Sequence, residues 1–197
     1  MPADERLKMP GEGEQTVRLF FALWPDAGVR RTLDQAGGKL HAACGGRRMQ
    51  APNVHLTLVF LGNVALARLD ELRAVAGCVS GHTFSMKLDH LGWWRHNRVA
   101  WAAPQEMPEA LQALVAQLQE GLRNAGFTFD DHPVFSPHVT LLRNARCNGV
   151  EMPSLEPLEW TADEFVLVKS ASTDAGATYE VIGRWGLSKV SEENDAL

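Results

Sequence analysis

The chain has 197 residues, 45% of them hydrophobic, which is enough apolar material for one well-buried domain built as one core or as two closely packed lobes. No run approaches the roughly 18 to 20 apolar residues that a membrane span needs, and the polar start from Met1 to Gln15 is unlike a signal sequence, so a cytoplasmic protein without membrane contact is expected. The net charge of −5 falls mostly on the two ends, residues 1–15 and 189–197 carrying −2 each. The nearly neutral body has basic spots at Arg47-Arg48, at Arg95 to Arg98, and at Arg143 with Arg146; this suits a small or short-stranded anionic ligand better than a long duplex.

In chain order, the two tails lack periodicity and are expected to be disordered, leaving a single domain over 16–188. Val17 to Leu23 reads as a buried strand ended by Trp24-Pro25-Asp26. Val29, Leu33, Ala36 and Leu40 then mark a helix with Gly45-Gly46 beyond its end. Val54 to Leu61 is a nearly continuous apolar strand, hence central in a sheet. A second amphipathic helix is expected over Ala65 to Val79. Thr83 to Leu91 and Arg98 to Ala103 read as a hairpin turning near Arg95 to Asn97. A third helix follows Pro108, with Leu111, Leu114, Val115, Leu118 and Leu122 on one face and Gly126 as its stop. The loop 127–137 leads into a strand at His138, and two last strands, Trp160 to Lys169 and Thr178 to Trp185, are expected to be neighbours. The order is β-α-β-α-β-β-α-β-β-β, an α/β (α+β) arrangement with mixed or antiparallel sheet.

Within this framework the tetrapeptide His-x-Thr-Leu occurs twice, as His55-Leu56-Thr57-Leu58 and His138-Val139-Thr140-Leu141, each on an apolar strand and each shortly after a proline, Pro52 or Pro137. Alternate side chains of a strand share a face, so each histidine points the same way as its threonine. Two imidazoles with ordinary pKa values of about 6.5 can supply one proton donor and one acceptor near neutrality, while Thr57 and Thr140 bond non-bridging phosphate oxygens. This chemistry needs no metal and no cofactor, and the carboxylate or thiolate companions of a two-histidine metal site are missing from both motifs. No Gly-rich phosphate loop is present. Cys44, Cys78 and Cys147 are far apart and odd in number, so reduced structural thiols are expected.

The segments Arg18 to Leu23, Asn53 to Gly62, Ser136 to Arg143 and Tyr179 to Trp185 together resemble the two-histidine (2H) phosphoesterase superfamily. Within it, they resemble the RNA 2′,3′-cyclic phosphodiesterases once described as 2′-5′ RNA ligases. The resemblance implies a bilobal fold of two pseudo-symmetric lobes, with sheets flanked by helices around a central active-site groove, acting as a monomer. It implies His55 as proton donor, His138 as proton acceptor, and Thr57, Thr140 and Arg143 as phosphate-binding residues. The implied reaction opens an RNA or nucleoside 2′,3′-cyclic phosphate to a 2′-phosphomonoester; its reverse would make a 2′-5′ linkage. The alternatives are an RNA-end or nucleotide-binding module with weak catalysis, or a phosphodiesterase for 2′-5′ oligonucleotides or an ADP-ribose cyclic phosphate.

Arg143 lies five residues after His138, which on a regular strand is the opposite face, so its role requires a bulge, strong twist or strand end near Leu142. Phe20 is a further candidate for lining the groove and stacking on a base, although a phenylalanine in a Leu-Phe-Phe run is core by default. Trp93, Trp94, Arg95, His96 and Arg98 are weighed as nucleotide contacts, and Arg47 and Arg48 as steering charges. His41, His82, His90 and His132 are read as ordinary residues.

Overall fold

Val17 to Leu23 form the expected strand, within β1 (Thr16–Leu23), and Trp24-Pro25 turn the chain into α1 (Ala27–Cys44). The computed structural model describes residues 15–131, 134–173 and 176–189, so the expectations for the outer tails and for His132 fall outside the described residues. Asp26 caps α1 by accepting hydrogen bonds from the amides of Gly28 and Val29, and Val29, Leu33, Ala36 and Leu40 are all buried. The second helix, α2 (Leu69–Gly77), is shorter than expected because Leu66–Arg68 form a 3₁₀ turn ahead of it. In α3 (Glu109–Asn124) Leu111, Leu114, Val115, Leu118 and Leu122 are buried, and Gly126, with φ +66°, follows its end.

The remaining strands are β2 (Arg47–Arg48), β3 (Leu56–Ala65), β4 (Phe84–Leu88), β5 (His90–Trp94), β6 (Val99–Ala103), β7 (Val139–Arg143), β8 (Leu158–Ala162), β9 (Glu164–Thr173) and β10 (Gly176–Gly186). Two runs that read as single strands are each divided. Thr83 to Leu91 breaks at Asp89 into β4 and β5, and Trp160 to Lys169 breaks at Asp163 into β8 and β9. At both aspartates the chain leaves one sheet for another: β4 and β8 pair as a small separate sheet, while β5 and β9 join opposite arms of the main one. The apolar character continues across each break, so sequence periodicity does not report the change of partner. The expected hairpin with β6 forms, and its first arm is β5, with Gly92 opposite Trp101 and Trp94 opposite Val99.

The main sheet runs β10-β9-β1-β3-β7-β6-β5, with β2 also on β7 and every strand pair antiparallel. Its two motif strands, β3 and β7, meet through one register pair, Leu56 opposite Val139. The sheet is pinched there and opens into two lobes with a groove between them. Each half supplies a strand, a helix and a motif strand, β1-α1-β3 and β6-α3-β7, but α1 packs on β7 and α3 on β3. Each motif strand is thus covered by the helix of the other half, and one buried cluster extends from Leu19 and Phe165 to Ala102 and Val139.

The cysteine expectation is corrected: Cys44, the last residue of α1, and Cys147, beyond β7, form a disulfide across a sequence separation of 103, while Cys78 is free and exposed. Both bonded cysteines are buried. The link closes around a tight approach of two segments, since a Cβ on Gly46 (φ +91°) would stand 2.8 Å from the Arg143 carbonyl oxygen. Only tertiary packing brings such distant residues together, and their spacing carries no trace of it.

Candidate active site

Because β3 and β7 are antiparallel and Leu56 stands opposite Val139, one step along either strand sets His55 across from Thr140 and Thr57 across from His138. All four side chains, with Asn53, Met49 and Arg143, line one polar cleft of about 110 Å³. The pinch point of the sheet is therefore the place where both motifs converge.

The two histidines are held the same way. His55 Nδ1 lies 2.7 Å from the carbonyl oxygen of Asn53, and His138 Nδ1 lies 2.9 Å from that of Ser136. A carbonyl only accepts, so each Nδ1 carries the hydrogen and each neutral ring keeps its lone pair on Nε2. Asn53 also donates from Nδ2 to the carbonyl of Ala177, at 3.2 Å, tying the His55 support to β10.

Their surroundings differ. The His55 ring lies between Phe20, stacked at 4.8 Å, and Trp24, stacked at 5.2 Å with the planes 1° apart, and Tyr179 meets it edge-on at 5.1 Å. The other ring contacts Trp94 edge-on at 4.5 Å. Burial among these aromatics lowers the His55 pKa to about 4; the Asn53 carbonyl pulls it upward, and Arg143 and His138 push it further down. His138 is lowered by the same cause, opposed by the Ser136 carbonyl and reinforced by Arg143, and it is lowered less.

Arg143 reaches the cleft by the bulge that its spacing demands. Thr140 is opposite Trp101 and Leu142 opposite Ala100, so Leu141 is an extra residue on β7. That insertion reverses the parity beyond it and brings Arg143 onto the face of His138 and Thr140. A matching extra residue in β3, Leu58, lies between the pairs Phe21–Val59 and Ala22–Thr57.

The other candidates separate. Phe20 is 3% exposed and offers its face to His55 rather than to a ligand, which corrects its reading as a base-stacking wall. Trp94, His96 and Asn97 line a larger groove of about 570 Å³ that shares Thr57 and His138 with the cleft. Trp93, one residue out of phase with Trp94, packs against the core instead. Arg48 is engaged by Asp34 at 2.6 Å, whereas Arg47 is exposed opposite Arg143. Arg98 has φ 56° and its carbonyl accepts from Ala145, a turn role. Trp24 and Tyr179 were missed as site residues. The signal for Trp24 was the period-two row Phe20, Ala22, Trp24; nothing local marks Tyr179. Among the described residues no group of three His, Cys, Asp or Glu side chains could hold a metal ion.

Two imidazoles, one at the entry to β3 and one at the entry to β7, each with Nε2 unengaged among the described residues, together with two threonines and an arginine around one cleft define a two-histidine phosphoesterase site. The sequence model described as LigT like Phosphoesterase matches the chain twice, over residues 23–101 and 102–179, one motif in each, and the chain belongs to that family. The RNA 2′,3′-cyclic phosphodiesterase of Escherichia coli K12 is 31% identical over 172 residues, covering 87% of this chain and 97% of that protein. The enzyme of the same name from Thermus thermophilus is 30% identical over 188 residues, covering 87% and 90%. The crystal structure of E. coli LigT complexed with 3′-AMP superposes with a TM-score of 0.77 at 31% identity, covering 89% of this chain and all of that one.

Proposed function

We propose that the protein hydrolyses 2′,3′-cyclic phosphate ends of RNA, and the corresponding cyclic nucleotides, to 2′-phosphomonoesters. One observation carries this reading: both imidazoles are fixed through Nδ1 with Nε2 left for a cleft that also holds Thr57, Thr140 and Arg143. Two relatives of nearly full coverage bear the name of this activity, and the E. coli relative has been crystallised with 3′-AMP.

In the reaction, Thr57, Thr140 and Arg143 hold the non-bridging oxygens of the cyclic phosphate. His138 Nε2 accepts a proton from water as the water oxygen bonds to phosphorus. The bond from phosphorus to O3′ breaks, and protonated His55 gives its proton to O3′. This division of labour is the one the family resemblance implies, and the packing supports it. The imidazole with the lower pKa is the stronger acid once protonated, and the aromatic enclosure of His55 lowers it further than that of His138. The anionic substrate supplies the opposite charge that loads the proton onto His55. The protein is further proposed to work as a monomer in the cytoplasm.

The test is turnover of a nucleoside 2′,3′-cyclic phosphate with a chelator present, with the product isomer identified, alongside His55→Ala and His138→Ala. The 2′-monophosphate should form, and each substitution should lower turnover by about 10² to 10⁴. A product that is solely the 3′-isomer, or a fully active single variant, overturns the assignment. A 2′-5′-linked dinucleotide and an ADP-ribose cyclic phosphate complete the panel and should be poorer substrates.

A further inference from the structure

The catalytic cleft opens into larger spaces. The 570 Å³ groove that opens from Thr57 and His138 is bounded on its far side by Val134, Phe135 and Ser136, and the same three residues wall a second hollow of about 430 Å³. His90, Trp101 and Met107 line that hollow, and none of the described residues around it is a carboxylate. Aromatic rings connect the two spaces. Trp94 meets His138 at 4.5 Å, Trp101 meets Trp94 at 5.3 Å, and His90 meets Trp101 at 5.6 Å.

This row is built into the sheet. Trp101 stands opposite Thr140 on β7 and opposite Gly92 on β5, so its indole is on the groove face of this lobe. A Cβ on Gly92 would lie 2.2 Å from the Trp101 ring, so the bare glycine is the seat on which the indole rests. His90 is exposed at the far end of the row.

We propose that the hollow around His90, Trp101 and Met107 is a subsite for the nucleotide that precedes the cyclic-phosphate end of single-stranded RNA. The site therefore engages at least two nucleotides. The proposal rests on the reaction proposed above, because that reaction fixes which end of the strand lies between the histidines. A base leaving the terminal-nucleotide groove past Phe135 arrives over aromatic faces, and stacking on such faces accepts any base. Continuity with the catalytic cleft and the absence of lining carboxylates among the described residues favour this occupant over a peptide.

The experiment compares a nucleoside 2′,3′-cyclic phosphate with a dinucleotide ending in the same cyclic phosphate, on the wild type, His90→Ala and Trp101→Leu. The dinucleotide KM should be about tenfold lower in the wild type, within the range of one stacked base. Both variants should raise the dinucleotide KM towards the mononucleotide value while leaving mononucleotide kcat and KM within about twofold. Equal KM values for both substrates in the wild type overturn the subsite, as does His90→Ala behaving as wild type with both. Failure to turn over either substrate overturns the parent reaction instead. Titration of tryptophan fluorescence with the mono- and dinucleotide 2′-phosphates then decides the subsite, with no gain from the second nucleotide counting against it.

Discussion

His55 and His138 are the same residue in nearly the same tetrapeptide, and packing separates them. Burial takes His55 from 6.5 to about 4, equivalent to about 3 kcal/mol against the charged form. A stacked ring returns about 0.5 to 2 kcal/mol to a nearby cation, so exclusion of water dominates. In the free enzyme both imidazoles are neutral at pH 7. The form with His55 charged and His138 neutral is then most populated between the two lowered pKa values. The pH profile of kcat/KM should accordingly peak below pH 6.5 and fall on the alkaline side, whereas kcat, which reports the anion-loaded complex, should hold to higher pH. Trp24→Ala admits water to His55 and should carry the acid limb of kcat/KM upward by up to about one unit, while Trp24→Phe should leave it in place. An unchanged limb in Trp24→Ala would remove the tryptophan from this role.

Among the elements, the strand bulge is the device on which the site depends. Without the extra residue Leu141, the offset of five between His138 and Arg143 would aim the guanidinium away from the cleft. The sequence stated the requirement, since a five-residue offset is impossible on a regular strand, but it did not contain the answer. Exposed Arg143 has little to contribute to folding and a charge-assisted bond to give a phosphate. Arg143→Gln should raise KM for the cyclic phosphate about ten- to hundredfold with unaltered thermal stability, measured by steady-state kinetics and a melting curve. The paired breaks at Asp89 and Asp163 show the same limit from another side. Strand character was visible along both runs, and the change of sheet was not, because it is set by which partner strand is available.

Across the whole molecule, two crossings make the lobes one unit: each motif strand lies under the helix of the opposite half, and the Cys44–Cys147 disulfide closes a loop of more than a hundred residues. Cross-linking so long a loop restricts the unfolded chain, and removal of such a bond costs about 2 to 4 kcal/mol. Cys44→Ala and Cys147→Ala should each lower the free energy of unfolding by that amount. A reductant should lower the wild type equally and leave both variants unmoved, as read by denaturant titration. Turnover at about 25 °C should persist, because neither sulfur lines the cleft.

The sequence by itself determined the three helices and the order of the strand-forming runs around them, the core faces of α1 and α3, the pairing of each histidine with its threonine, and the family resemblance. These rest on periods of two and 3.6 residues and on short motifs, all of which are local. The tertiary structure alone decided that β3 and β7 touch at one pair, that Leu141 bulges, that Trp24 and Tyr179 enclose His55, and that Cys44 meets Cys147. Each of these depends on which distant segment comes to lie alongside, and strand register and ring contacts leave no mark in the spacing of either partner.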